Sequence, residues 1–219
     1  MAKWLCACLL MTVYFALSLN AVATDYAHTA SYSASGSLAI KSWKTLRDHR
    51  IVKQRFDYSC GAASMATILN EFYGQAVTEL ELLEAIDNGN SRASFSDMKK
   101  ALDKFGFEAE GFATSYEQLA RLKIPVLVYL KYRKNDHFSV LRGIDVNTVW
   151  LADSSLGNRT FSKYQFLDMW RTRNSKLNGK FLAIFPKQKT KNMDNKYFFR
   201  QPQRSTFRAV QLQALRNRP

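Results

Sequence analysis

Residues 54–64 read Gln-Arg-Phe-Asp-Tyr-Ser-Cys-Gly-Ala-Ala-Ser, or QRFDYSCGAAS in one-letter code. The cysteine stands directly before small residues and six positions after a glutamine. Apolar residues then recur at helical spacing up to Phe72, and Gly74 follows as a stop signal. The stretch therefore predicts a helix over residues 61–72 with Cys60 at its N-terminus.

The position of Cys60 favours reactivity. The thiolate is the nucleophilic form of cysteine, and a helix N-terminus stabilises negative charge through its unpaired N–H groups and its dipole. Gly61 and the alanines after it leave the sulfur uncrowded. The alternative for this residue is a buried, inert side chain that behaves as a small hydrophobe.

The N-terminal segment has the three parts of a secretory signal peptide. Lys3 supplies a positive charge, residues 4–19 form an apolar run, and Ala21-Val22-Ala23 is a small-x-small cleavage site. An uncleaved membrane anchor is the alternative, but the run is shorter than the roughly 20 residues of a spanning helix. We expect cleavage after Ala23, export to the periplasm or the medium, and no integral membrane span afterwards.

Signal cleavage would change the cysteine count. Cys6 and Cys8 lie inside the apolar run and would leave with it, so that the mature chain would keep only Cys60. A lone cysteine cannot form an internal disulfide in an oxidising compartment. Histidine is also scarce: the chain holds only His28, His49 and His137. A metal site of the Cys and His type is therefore not expected, and no cofactor is predicted.

Composition divides the chain into four parts. Residues 1–23 are the predicted signal peptide, and residues 24–38, rich in Ser, Ala and Thr, predict a flexible leader. Residues 39–186 predict the folded domain. Residues 187–219 hold nine basic residues against one acidic residue and predict a largely disordered basic tail that could include a short C-terminal helix.

The net charge of +14 is concentrated in that tail. Such charge could bind nucleic acid, but export argues against nucleic acid as a partner. An anionic surface or an acidic partner that contacts the tail is the remaining expectation.

The order of the predicted elements indicates an α+β fold. Helices are predicted first, and strands of an antiparallel sheet follow, which is typical of a fold with segregated helical and sheet halves. The predicted helices cover residues 61–72, 78–86, 94–105 and 162–170, and the predicted strands cover residues 124–130, 137–144, 149–152 and 180–185.

Two residues of the sheet half could assist a cysteine nucleophile, one as its general base and the other as the group that orients this base. Acyl transfer needs a general base, and His137 opens a predicted strand from which its ring can project into a cleft. Asp153 ends the next strand, so a hairpin of the two strands would place its carboxylate beside His137 and orient the ring. Asp145 would lie at the turn, at the opposite end of the hairpin, and Asp136 would point to the other face.

Gln54 could stabilise the oxyanion of a tetrahedral intermediate. The backbone N–H of Cys60 is one donor, and a turn over six residues could bring the Gln54 amide beside the sulfur as a second donor. Without the other candidate residues, Gln54 would be interpreted as an ordinary polar residue exposed to solvent.

Four sequence blocks together carry a family resemblance. They are Gln54-x5-Cys60-Gly61-Ala62-Ala63, Tyr73-Gly74, His137-Phe138-x-Val140-Leu141 and Trp150-Leu151-Ala152-Asp153-Ser154. This set resembles the bacteriocin-processing double-glycine leader peptidases, which are papain-like cysteine peptidases. The resemblance covers about residues 50–186 and implies a papain-like α+β fold, with N-terminal helices packed on a C-terminal antiparallel sheet.

The resemblance also implies roles for the matching residues. Cys60 would be the nucleophile, His137 the base, Asp153 its orienter and Gln54 the oxyanion donor. The implied reaction is cleavage of a polypeptide substrate after a Gly-Gly pair, here by a freestanding exported member of the family. The chain departs from the family pattern at Ser59, where an acidic residue is frequent, and after Asp153, where proline is frequent.

Two other functions fit the same residues. A peptide-binding module could keep the groove and hold leader-like peptides without cleaving them. Amide transfer or deamidation could use the same triad, because these reactions also pass through an acyl-enzyme.

Overall fold

The computed structural model describes most of the chain after residue 25. The described residues are 26–31, 34–39, 41–86, 92–132, 135–172, 176–177, 179–190 and 192–199. The predicted signal peptide, residues 1–23, lies outside them. The chain divides into two compact units, residues 1–46 and residues 47–219.

The described part of the first unit contains a two-stranded hairpin. Strands β1 (Tyr26–Ser31) and β2 (Ala34–Ala39) pair antiparallel. Composition predicts a flexible leader over residues 24–38, and the structure differs there. The two strands pair in register from Tyr26 opposite Ala39 to Ser31 opposite Ala34.

The remaining elements are helices followed mainly by strands. The helices are α1 (Trp43–Arg47), α2 (Cys60–Glu71), α3 (Glu79–Ile86), α4 (Phe95–Lys104), α5 (Tyr116–Leu119) and α6 (Lys163–Trp170). The strands are β3 (Phe107–Thr114), β4 (Val126–Tyr132), β5 (Asn135–Ile144), β6 (Thr148–Asp153), β7 (Gly157–Ser162) and β8 (Gly179–Pro186). These six strands form one sheet in the order β3-β8-β4-β5-β6-β7, and all neighbours pair antiparallel.

Local sequence signals set the helix boundaries. Thr78 and Glu81 exchange hydrogen bonds at the start of α3, which is the arrangement of a capping box. Ser94 forms the same arrangement with Asp97 at the start of α4. Helix α2 ends just before Gly74, whose φ of +67° is a conformation that glycine adopts without strain.

The sheet has an apolar core on each face. One core packs α2, α3 and α4 on the sheet, with Met65, Leu82 and Met98 among the buried helix residues. The other core packs α5 and α6 on the opposite face, where Trp170 is fully buried. Successive residues of β4 alternate between the two cores, which explains why this central strand is a continuous apolar run in the sequence. The predicted α+β architecture, with N-terminal helices on an antiparallel sheet, is confirmed.

Within the six-stranded sheet, strands β3 and β7 were not expected from the sequence. Strand β3 alternates buried residues with Glu108 and Glu110, and its partner β8 lies far along the chain. Strand β7 begins at Gly157, where the sequence Gly-Asn-Arg-Thr predicts a turn rather than a strand. Both strands lie at the edges of the sheet, where one-sided pairing tolerates polar and glycine-containing sequences.

The start of the basic tail also belongs to the folded unit. Residues 195–197 form a 3-10 turn, and the Tyr197 side chain is fully buried. Phe199 exchanges main-chain hydrogen bonds with β5, and Asp194 forms an ion pair with Arg50 at 2.8 Å. The sequence-based boundary at residue 186 misses this contact because the anchoring aromatics stand among basic and polar residues. We propose that the domain continues to Phe199; residues 200–219 lie outside the described residues.

This packing predicts a stability effect. Tyr197→Ala should lower the free energy of unfolding by about 3–5 kcal/mol, as for other large core side chains. Chemical denaturation monitored by circular dichroism measures the effect. Tyr164→Ala is the matched control, because that tyrosine is 82% exposed and its loss should change the free energy by no more than about 0.5 kcal/mol. Equal stability of the two variants would contradict the proposed boundary.

Candidate active site

Cys60 is the first residue of α2 and is 1% exposed. Its thiol lies beside the ring of His137 on β5 and near the main-chain N–H of Phe138. Close packing of α2 on the sheet makes this contact possible. A Cβ atom at Gly61 would displace the terminal methyl group of Met98 and would lie in ordinary contact with the Phe138 ring, at 3.6 Å.

His137 connects Cys60 to Asp153. The Nε2 atom of His137 lies 2.7 Å from Oδ2 of Asp153, which leaves Nδ1 as the ring atom available to the thiol. The other carboxylate oxygen, Oδ1, accepts main-chain N–H bonds from Ser155 at 3.0 Å and Leu156 at 2.8 Å. Asp153 is 4% exposed, so its carboxylate is held in one orientation by the turn that follows β6.

The β5–β6 hairpin explains why this aspartate is beside the histidine. Val140 pairs with Ala152, so the start of β5 and the end of β6 lie at the same end of the hairpin. Asp145 lies in the turn at the other end, where its side chain accepts main-chain N–H groups. Asp136 instead accepts a hydrogen bond from the Tyr129 hydroxyl at 2.5 Å.

The three side chains shift one another's pKa values. Burial alone would lower the pKa of His137, but its hydrogen bonds to Asp153 and Cys60 outweigh burial and raise the pKa to about 9. Burial raises the pKa of the Cys60 thiol, but the contact with His137 outweighs this effect and holds the pKa below its ordinary value. Burial likewise opposes ionisation of Asp153, and the bond to His137 outweighs it, so that the pKa of the carboxyl is also lowered. The arrangement favours a thiolate–imidazolium pair.

Gln54 lies in a fixed position at the rim of the same site. Its Oε1 atom accepts a hydrogen bond from the Ser154 hydroxyl at 2.8 Å, and its Nε2 donates to the Phe56 carbonyl at 3.0 Å. An amide nitrogen carries two protons, so one remains for a further acceptor. Gln54 and His137 both line a cavity of about 360 Å³.

Sequence reasoning missed three groups at this site. Ser154 anchors Gln54 through both its hydroxyl and its carbonyl, and only its position directly after Asp153 could have drawn attention to it. The main-chain N–H of Phe138 could not be identified from the sequence, because every residue except proline carries such a group. Arg92 lines the cavity and its charge helps to lower the pKa of Cys60, but it follows a segment without apolar periodicity.

Other features of the described residues bear on function. Among them, no cluster of three or more His, Cys, Asp or Glu residues is arranged to hold a metal ion. In that same part of the chain, no helix combines the length and hydropathy that crossing a membrane requires.

Comparison with known proteins decides the family. The sequence profile described as "Peptidase C39 family" matches residues 48–174, more than half of the chain. The chain belongs to the peptidase C39 family. It is therefore a cysteine peptidase, and the family resemblance found in the sequence is confirmed.

Two curated relatives of this peptidase carry the name "Probable functional amyloid protease FapD". The protein from Pseudomonas aeruginosa is 33% identical over 171 residues, which are 73% of this chain and 76% of the relative. The protein from Pseudomonas fluorescens is 33% identical over 145 residues, which are 62% of this chain and 64% of the relative.

Solved structures share the fold of this peptidase. The peptidase domain of Streptococcus ComA, a bifunctional ABC transporter, superimposes with a TM-score of 0.54 at 21% identity, covering 62% of this chain and 97% of that domain. A double-glycine motif protease from an AMS/PCAT transporter, solved with its leader peptide, gives a TM-score of 0.52 at 24% identity over 62% of this chain and 90% of that one. The antiparallel sheet with helices packed on it is thus a known peptidase architecture.

The contact between Cys60 and His137 predicts the pH dependence of thiol alkylation. Because His137 is protonated below about pH 9, the wild-type thiolate should persist well below the ordinary thiol pKa. His137→Ala removes the stabilising partner, so the midpoint of the iodoacetamide rate profile should move to higher pH, to at least about 8.5.

His49→Ala is the matched control for this profile, because His49 is exposed and His137 is the histidine that lies between Cys60 and Asp153. Mass spectrometry after limited alkylation would identify the labelled residue. Identical midpoints for the wild type and His137→Ala would contradict the thiolate–imidazolium pair.

Proposed function

We propose that Cys60 is the nucleophile of this cysteine peptidase, His137 its general base and acid, and Asp153 the residue that orients His137. The position of the thiol beside the His137 ring, together with the hydrogen bond from that ring to the buried Asp153 carboxylate, supports this assignment. The Cys60 thiolate would attack the carbonyl carbon of the scissile bond. The His137 imidazolium would then protonate the leaving amine, and a thioester would remain on Cys60.

Deacylation would use the same groups. His137, neutral after it has given up its proton, would take a proton from a water molecule that attacks the thioester carbonyl. The Cys60 thiolate is then expelled, the acid product leaves, and the thiolate–imidazolium pair is restored, while the Asp153 carboxylate keeps the ring in the orientation that both steps need.

Gln54 would stabilise the oxyanion in both steps. Its amide lies at the rim of the cavity with one proton not used by Phe56, and the backbone N–H of Cys60, in the first turn of α2, has no partner within the helix. Two such donors aimed at the developing negative charge are the usual requirement for acyl transfer.

The substrate is a polypeptide, and we propose that it is exported. The motif resemblance suggests cleavage after Gly-Gly, and the name of the 33%-identical relatives suggests a component of a functional amyloid system. The motif resemblance gives the first substrate for testing, an internally quenched peptide with a central Gly-Gly pair.

Activity on this peptide tests the assigned roles. The wild type should cleave it, and Cys60→Ala should abolish cleavage because the nucleophile is lost. Gln54→Ala should lower kcat by about 100- to 1,000-fold with little change in KM, because an oxyanion donor acts mainly in the transition state. Gln75→Ala, a change of the same residue type at an exposed position, should leave kcat unchanged.

Other outcomes would point to the alternative functions. Binding of the peptide without turnover by the wild type would indicate a peptide-binding module. Release of ammonia from a Gln-containing peptide without chain cleavage would indicate deamidation.

We also propose that the protein is exported after removal of residues 1–23. Mass spectrometry of the protein recovered from the periplasm or the medium should give a chain that begins at Thr24. Ala23→Phe should block this processing, because the cleavage site requires a small residue at that position. Recovery of the wild type with Met1 intact would contradict the proposal.

A further inference from the structure

Ser59, the residue before the nucleophile, forms an unexpected contact. It occupies the N-cap position of α2 and is 1% exposed, but its side chain does not cap the helix. The Ser59 hydroxyl instead donates a hydrogen bond to Oε1 of Glu79, the first residue of α3. The Glu79 carboxylate of α3 is therefore hydrogen-bonded to Ser59, the residue that precedes Cys60.

The environment of Glu79 is expected to destabilise the folded state. The residue is 4% exposed, and its Oε1 atom also accepts the main-chain N–H of Arg55 at 2.9 Å. Its second oxygen, Oε2, is buried without a hydrogen-bond partner, and the closest charged group, Nε of Arg55, is 4.0 Å away. A buried and half-satisfied carboxylate contributes less to stability than an apolar side chain of similar size. Packing alone therefore does not account for Glu79.

A series of hydrogen bonds connects Glu79 to Gln54. The Ser59 Oγ atom that donates to Glu79 accepts the main-chain N–H of Phe56 at 3.2 Å. The Phe56 carbonyl accepts the Ser59 N–H at 3.2 Å and the Gln54 Nε2 at 3.0 Å. The turn of residues 55–59 is thus fixed on one side by Glu79 and holds the Gln54 amide on the other.

We propose that Glu79 is a positioning residue for the oxyanion site, which acts by fixing the turn of residues 55–59 and, through this turn, the amide of Gln54. Ser154 holds the oxygen end of that amide, and the turn holds its nitrogen end. Glu79 touches neither Cys60 nor the cavity beside it. The inference rests on the proposed role of Gln54.

Two reactions of Cys60 separate this role from a general structural one. Alkylation by iodoacetamide forms no oxyanion and depends on the thiolate, whereas peptide cleavage requires both the thiolate and the oxyanion donors. Loss of positioning should therefore slow cleavage without slowing alkylation. Damage to the packing of α2 on β5 should slow both reactions.

The experiment compares variants of the full chain in both reactions. Glu79→Ala should lower kcat for the Gly-Gly peptide by about tenfold or more, with KM and the alkylation rate of Cys60 unchanged. Glu79→Gln should retain most of the activity, because its side-chain oxygen can accept the same two hydrogen bonds. Glu84→Ala, the same change on the exposed side of α3, should behave as the wild type.

Ser59→Ala provides a second test should Glu79→Ala fail to fold. It removes one hydroxyl from the series and should also lower kcat selectively. The proposal is overturned if alkylation and cleavage fall together in the soluble variants, or if neither falls. Absence of cleavage by the wild type, with normal alkylation, would instead contradict the proposed peptidase role of the site, and the two failures are thus distinguishable.

Discussion

The contact between Cys60 and His137 joins the two halves of this fold. The cysteine begins a helix of the N-terminal half, and the histidine lies on a central strand of the C-terminal sheet. The contact exists only because α2 packs closely on β5. Burial would oppose charge on either group alone, so the two charges must stabilise each other. Folding of the domain and activation of the thiol therefore depend on the same interface.

The rest of the site is arranged around this contact by turns. The turn after β6 supplies two N–H groups that fix Asp153, and Ser154 in that turn holds Gln54. The turn before α2 holds the other end of the Gln54 amide and is itself held by Glu79. Short main-chain turns thus set the orientation of side chains that rigid elements bring near one another. This agrees with the general need for a supporting layer around reactive groups.

Much of the architecture could be predicted because its signals are local. The capping boxes at Thr78 and Ser94 and the apolar run of β4 depend on neighbours within a few residues. Strand β3 and the anchoring of Tyr197 could not be predicted in this way. Both depend on partners far along the chain, and their sequences are polar enough to be typical of loops.

In the candidate site, too, features with local sequence signals could be predicted, whereas contacts between distant segments could not. The sequence by itself determined that Cys60 begins a helix and that a β5–β6 hairpin brings His137 and Asp153 to one end, because cap signals and strand alternation act over short distances. Only the tertiary structure decided which groups hold these residues in place. Ser154 holds Gln54, and Glu79 holds the turn before Cys60. Each of these contacts joins segments that are distant in the sequence, and no local pattern indicates a contact that depends on how the helices pack on the sheet.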